Sequence, residues 1–396
     1  MQYRRFGKTN LSMPVFSCGG MRYQQQWTDL PFDDIDQKGQ QNLEATIHRA
    51  LEVGINHIET ARGYGSSEMQ LGYVLPHFNR DDLIVQTKVG ITENPAVFLA
   101  DFNTSMNYLK LDHVELLGIH GINTHKKLDY VLAKGGQLDI ARQLQKEGRV
   151  KHVGFSTHGT SDVICRAIEA GDFDYINLHW YYIYQHNYRA IEAASQRDMG
   201  IFIISPNNKG GMLYDPSETL SALTAPLSPM VFNGLFCLND PRIHTLSLGA
   251  SKPSDFDEHL KTVALLDDAQ SHITPILKRL TDTFTQTHGN AWTESWHVGL
   301  PDLADTPGNL NILMILFLYN VAKAFDMTTY AKMRYNLFND GGDWFQGDKP
   351  KSIEHLRGLD FSACLKDSPH KEIIPKILEE TFKMLDDEKV IRLSQT

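Results

Sequence analysis

Apolar residues along this chain collect in short, nearly unbroken runs: 15–18, 56–59, 83–87, 114–120, 150–156, 175–178, 201–205 and 243–249. Runs with so little polar alternation predict strands buried on both faces, as in a parallel sheet covered by helices. Amphipathic stretches fill the intervals. Leu43, Ile47 and Leu51 recur four apart, on one helical face, and residues 133–147, 160–170, 187–198 and 255–266 read the same way. Eight strands alternating with helices over about 250 residues predict an α/β fold, a (β/α)8 (TIM) barrel. A doubly wound sheet is the alternative. It ordinarily carries Gly-x-Gly-x-x-Gly after its first strand, and Cys18-Gly19-Gly20-Met21-Arg22 matches that turn poorly. Ahead of the first strand, residues 2–6 and 11–15 flank Gly7-Lys8-Thr9-Asn10, which predicts a hairpin plugging the barrel floor.

Beyond about residue 268 the pattern changes. Residues 275–285, 309–324, 328–338 and 371–386 read as helices separated by loops rich in Gly, Asp and Pro, and no strand is predicted. The expected organisation is a barrel over residues 1–267 followed by a C-terminal helical extension over 268–396.

Composition narrows the function classes. With 38 Lys+Arg against 48 Asp+Glu, the net charge of −10 speaks against a general affinity for nucleic acid or anionic membranes. The longest apolar run, 310–319, covers half of the ~20 residues a membrane helix needs. The N-terminus lacks the apolar core of a signal peptide. Four scattered cysteines (Cys18, Cys165, Cys237, Cys364) read as reduced thiols. These features predict a cytoplasmic protein with no nucleic-acid or membrane partner, and leave its oligomeric state open.

Polar residues at strand ends carry the candidate chemistry, because catalytic groups of such barrels sit at the C-terminal ends of the strands. Those ends supply Glu59, Lys88 and His120, with Tyr64 in the turn after the second strand. A free tyrosine has a pKa of about 10 and is a poor acid near neutrality. A nearby ammonium, Lys88, stabilises the phenolate, and Glu59 holds that ammonium in place. His120 is suited to donate to a carbonyl oxygen and orient it. Tyr64 is then placed to protonate that oxygen as hydride reaches the carbon.

At these residues the chain resembles the aldo-keto reductases. The family motif Asp-Thr-Ala-x-x-Tyr-Gly is matched by Glu59-Thr60-Ala61-Arg62-Gly63-Tyr64-Gly65, and the family's strand-borne lysine and histidine by Lys88 and His120. The resemblance covers roughly residues 1–266. It implies a barrel that binds NADPH across its mouth and reduces a small aldehyde or ketone to an alcohol, with Tyr64 as general acid. Glu59 departs from the family's Asp, which moves the charge by roughly 1 Å.

The same resemblance implies the cofactor contacts. Gly20, Met21 and Arg22 look like the loop beneath the nicotinamide ribose. Ser156 and Thr157 stand where the family commonly has Ser-Asn, and Asn177 replaces a Gln that binds the carboxamide. The segment Ser205-Pro206-Asn207-Asn208-Lys209-Gly210-Gly211-Met212-Leu213 is similar to the family's pyrophosphate loop. Gly249, Ser251 and Lys252, followed by Asp255, Glu258 and His259, resemble the adenosine-binding segment. Ser251 and Lys252 suit a 2′-phosphate, whereas Asp255 would repel it, so NADPH is expected and NADH stays open. Ile204 occupies the place of the family's nicotinamide-stacking aromatic, and Trp180, Tyr181 and Tyr182 offer a substitute ring.

The extension resembles the ferredoxin-like tail of one branch of the family. Its cysteine places hold Trp292, Ser295 and Val298, and of the second cluster motif only Cys364 survives in Phe361-Ser362-Ala363-Cys364-Leu365-Lys366-Asp367-Ser368-Pro369. One thiolate does not hold a cubane cluster, so no iron–sulfur cluster and no other metal site are expected. The alternative to an enzyme is a pyridine-nucleotide-binding redox sensor or regulatory subunit with little turnover. Glu59, Asn177 and the ligand-poor tail leave room for it.

Overall fold

A computed structural model describes residues 1–339, 343–386 and 390, so the end of the expected extension, 391–396, lies outside the described residues. Its strands are β1 (Tyr3–Arg5), β2 (Ser12–Pro14), β3 (Phe16–Gly19), β4 (His57–Glu59), β5 (Ile84–Gly90), β6 (Val114–His120), β7 (Val150–Ser156), β8 (Tyr175–Leu178), β9 (Gly200–Ile203) and β10 (Thr245–Leu248). Strands β3 to β10 close into a parallel barrel, β10 pairing back onto β3. This is the (β/α)8 architecture that the apolar runs predict. Strand register sets the level of the barrel mouth. Glu59 pairs with Gln86, so β5 runs on past the end of β4 to Gly90, which pairs with His120, and Ser156 pairs with Asn177; the C-terminal strand ends are staggered around one rim.

The opposite end is closed by the hairpin. β1 and β2 pair antiparallel, and Phe6, in the segment that connects them, is fully buried among Met13, Ile84, Leu116, Tyr175 and Phe202. Its ring lies 5.8 Å from that of Tyr175. Burial of an aromatic of this size stabilises by about 1.5–3 kcal/mol, which anchors the floor against the strands.

Several helical details differ from the sequence reading. Helices Pro95–Leu109, Glu218–Thr224 and Pro229–Asn239 and the short helices Ser67–Leu71, Asn290–Ser295 and Ile353–Arg357 are not predicted by it, and the stretch 133–147 forms helix Gln137–Lys146 behind a separate helix, His125–Leu132. The break falls at Gly135 and Gly136. Gly135 takes a φ of +75°, a conformation that favours glycine and stops a helix.

The chain divides into two compact units: Met1–Lys209 with Asn233–Ala269, and Gly210–Phe232 with Gln270–Thr396. Within the second unit, helix Ile312–Phe325 is buried on almost every face, which its nearly uninterrupted apolar sequence requires. It packs against helices Thr328–Tyr335 and Ile374–Leu385. The segment 210–232 joins this unit through polar ties. Arg279 Nε donates to the Leu223 carbonyl at 3.0 Å, and Ser217 Oγ to that of Phe325 at 2.8 Å. Among the described residues no single helix is long and apolar enough to cross a membrane.

Candidate active site

Inside a barrel, alternate residues of each strand face the axis. β4 presents His57 and Glu59 inward, β5 presents Gln86 and Lys88, and β6 ends on His120. Lys88 and Glu59 are 1% and 3% exposed and form a contact ion pair. Lys88 Nζ also donates to the Thr60 carbonyl at 2.8 Å and reaches the Tyr64 hydroxyl at 3.5 Å. The rings of Tyr64 and His120 meet edge-on, with centroids 5.7 Å apart. The structure therefore brings together all four residues picked out at the strand ends. It adds one that the sequence reading missed: Ser247 on β10 donates to the second Glu59 oxygen at 3.4 Å. The available signal was a hydroxyl placed inside the apolar run of β10.

Burial governs the electrostatics here. It pushes the Tyr64 phenol well above the ordinary tyrosine value, leaving a protonated donor throughout the neutral range. From sequence, Lys88 is expected to exert the opposite, lowering influence on that phenol. Desolvation prevails because the ammonium's charge is already met by Glu59. Burial likewise drives Lys88 down, against the pull of its carboxylate partner. His120 is held well below the usual histidine range by burial first, then by the charges of Lys88, Lys127 and Lys209. Below it, burial and Lys88 take His57 to about 3, with Ser17 Oγ 2.6 Å from its Nδ1. A protonated phenol, an ammonium and a neutral imidazole thus surround one position, an arrangement complementary to an oxygen gaining negative charge.

Asn177 provides the test of whether a nicotinamide nucleotide fits. It is fully buried on β8, and neither its Oδ1 nor its Nδ2 has a hydrogen-bond partner. An unsatisfied buried amide costs about 1–3 kcal/mol per group, and a carboxamide would satisfy it donor to acceptor. Ser156, beside it in register, accepts from the Gly121 N–H at 3.2 Å. Thr157 is engaged with the neighbouring loop and its own turn, donating to the Ile122 carbonyl after β6 at 2.7 Å and accepting from Gly159 N–H at 2.9 Å. Gly20 N–H donates to the Glu59 carbonyl, and a Cβ at Gly20 would lie 2.8 Å from that oxygen, so the close approach needs glycine. Met21 follows in the turn.

The residues expected at the adenosine end gather around one carboxylate. Ser251 N–H and Oγ both donate to Asp255 Oδ2, at 2.8 and 2.9 Å. Arg22 and Lys252 each lie 3.7 Å from the same group, and Arg22 also donates to the Gly249 carbonyl. Glu258 pairs with Lys261, while His259 is buried and brought down to about 4. In the expected pyrophosphate loop, the Pro206 carbonyl accepts from Asn233 Nδ2, Ser205 has φ +54°, and Lys209 Nζ lies 3.2 Å from His158 Nδ1. Gly210, Gly211 and Leu213 belong to the second unit. Of the substitute rings, Trp180 is buried and stacked on Phe236 at 5.1 Å.

In the second unit, the two stretches with cluster-like spacing meet. Ser295 Oγ is 3.0 Å from His370 Nε2, and the Trp292 and His370 rings are 4.9 Å apart. A tryptophan, a serine and one cysteine, Cys364, do not fit an iron–sulfur cluster. Among the described residues no group of three His, Cys, Asp or Glu side chains is placed to hold a metal ion.

With this geometry established, similarity to known proteins becomes informative. Residues 16–222 match the model of the aldo/keto reductase family. L-glyceraldehyde 3-phosphate reductase of Escherichia coli is 26% identical over 174 residues, covering 40% of this chain and 46% of that protein. D-threo-aldose 1-dehydrogenase of a Pseudomonas species is 26% identical over 200 residues, covering 42% and 60%. The chain thus spans about half the length of the curated relatives it matches. An aldo-keto reductase from Bacillus halodurans, solved in its holo form, superposes with a TM-score of 0.58 at 19% identity, over 70% of this chain and 96% of that one. That likeness concerns the fold.

Proposed function

The chain belongs to the aldo/keto reductase family, and on that premise we propose that it reduces a small aldehyde or ketone to the alcohol, with Tyr64 as the proton donor. A reduced nicotinamide nucleotide, when bound, supplies the hydride. His120 donates its N–H to the carbonyl oxygen and fixes the direction of the C=O bond. Tyr64 gives its proton to that oxygen as negative charge builds there. Lys88, 3.5 Å from the phenol oxygen, stabilises the phenolate left behind, and Glu59 keeps the ammonium in position. Asn177 and Ser156 hold the carboxamide. Ser251 and Lys252 favour NADPH through its 2′-phosphate, although Asp255 competes for the same donors. The observation that carries this reading is the convergence of Tyr64, Lys88 and His120 on one position of the rim.

The test is consumption of NADPH against a panel of small aldehydes and ketones. Tyr64→Phe is expected to lower turnover by about 10²–10⁴-fold, the range for a general acid, with nucleotide affinity retained. Nucleotide binding without turnover of any carbonyl would assign the chain to the redox-sensor class instead.

A further inference from the structure

Glu68 is fully buried, yet it has no place in the chemistry above. It sits on the short helix Ser67–Leu71, directly after the Tyr64 turn. Alternation along β5 turns Lys88 into the barrel and its neighbour Thr87 outward, where Thr87 Oγ1 donates to Glu68 Oε1 at 2.5 Å. Glu68 Oε2 has no hydrogen-bond partner and faces Arg62 Nη1 at 3.8 Å. Arg62 stands two residues before Tyr64, and its backbone N–H donates to the Lys88 carbonyl at 2.8 Å. Its guanidinium also pairs with Asp29 and lies 5.1 Å from the centroid of the Tyr108 ring, whose hydroxyl donates to Asp29 at 3.1 Å. One carboxyl group thus touches the residue beside Lys88 and the residue that leads into the Tyr64 turn.

We propose, resting on the roles given above to Tyr64 and Lys88, that Glu68 is a positioning residue for that pair. Its carboxylate holds the Tyr64 turn against the strand carrying Lys88 while touching neither side chain. Loss of its charge releases Arg62 and loosens the turn. The groups facing Glu68 are Thr87 from β5, Ser105 and Tyr108 from helix Pro95–Leu109, Arg62 from the turn, and Asp29 from the loop after β3. Burial raises Glu68 to about 7, outweighing the Thr87 hydrogen bond, the nearby Ser105 hydroxyl and the charge of Arg62. The hold on Arg62 is therefore present above neutrality and lost below it.

Glu68→Gln keeps the shape and the Thr87 contact but carries no charge. At a pH above 8, kcat is expected to fall about ten- to a hundredfold, the scale of a small displacement of reacting groups, with KM and nucleotide affinity unchanged. The rise of kcat through neutrality expected of the wild type should vanish. Arg62→Gln should reproduce both effects, and the double variant should lose no more than either alone. Arg62→Gln carries the test if Glu68→Gln does not fold. Wild-type kcat with an intact pH step in either variant, or a change confined to KM, overturns the proposal.

A wild type that reduces no carbonyl overturns the functional reading instead, and the buried titration is then read on the free protein. The folded value lies above the ordinary one, so the contribution of Glu68 to stability is complete below about 4.5 and lost as pH rises through about 7. The melting temperature of the wild type should fall over that window relative to Glu68→Gln. Parallel curves would rule out the titration.

Discussion

Glu59→Gln preserves the outline of the side chain and removes the charge that faces the Lys88 ammonium. Both partners are almost wholly buried, at 3% and 1% exposure. Removing one member of a buried pair costs about 3–5 kcal/mol, because the other charge is stranded. Two features set the expectation at the lower end of that range. The ammonium keeps the Thr60 carbonyl at 2.8 Å, and burial already lowers its pKa, so it can shed its proton. A loss of about 3 kcal/mol corresponds to roughly a hundredfold faster exchange of the barrel amides where opening is a rapid pre-equilibrium. Native-state hydrogen exchange on a peptide covering β5, in wild type and variant at one pH, measures it directly. A loss of protection below about fivefold, equivalent to the ~1 kcal/mol of an exposed pair, would refute the reasoning. Adding Lys88→Met should recover most of the protection, since an apolar replacement of a buried pair is close to neutral, while carbonyl reduction, which the proposed mechanism assigns in part to Lys88, is lost.

Two further outcomes rest on the contacts. Asp255→Asn removes the charge that Ser251, Lys252 and Arg22 surround, so affinity for NADPH relative to NADH should rise several-fold in fluorescence titrations. An unchanged ratio would detach Asp255 from the nucleotide. Gly65 has φ +55° and a Cβ there would lie 1.8 Å from the Gln26 carbonyl oxygen. Gly65→Ala should therefore displace the segment around Gln26, break the Ser66 N–H bond to Gln26 at 3.1 Å, and raise exchange in residues 21–30 with the barrel's circular dichroism intact. Unaltered exchange in that segment would count against the packing described.

How much of this protein is legible in its sequence depends on how local each feature is. The barrel strands are legible because burial on both faces forces continuous apolar runs, and the positions of Glu59, Lys88 and His120 are set by where those runs end. Helix Pro95–Leu109 is harder to read. Its interior includes Asp101, Asn103, Thr104, Ser105 and Asn107, all weak helix formers. Its real signal is the Asn94 cap ahead of Pro95, whose side chain accepts from Ala96 N–H. Partnerships are not local at all. Ser247 lies 188 residues from Glu59 and meets it only when β10 closes the barrel. Asp255 reads in sequence as a charge set against phosphate, whereas the fold surrounds it with donors. The sign of the Tyr64 shift also depends on burial, which no motif encodes.

The plugged floor has a consequence for the opposite end. From Phe6 the packing continues through Tyr175, whose hydroxyl accepts from Gln86 Nε2 at 3.4 Å, towards the stem of Lys88. Gly118 marks the junction, since a Cβ there would lie 3.4 Å from that hydroxyl and 3.0 Å from Lys88 Cγ. The interior is a filled column, in which the stem of Lys88 rests above the Tyr175 hydroxyl while Glu59 and the Thr60 carbonyl hold its ammonium. Substitutions at the base of that column offer a way to raise or lower the reacting groups by fractions of an ångström without altering a single residue that meets substrate.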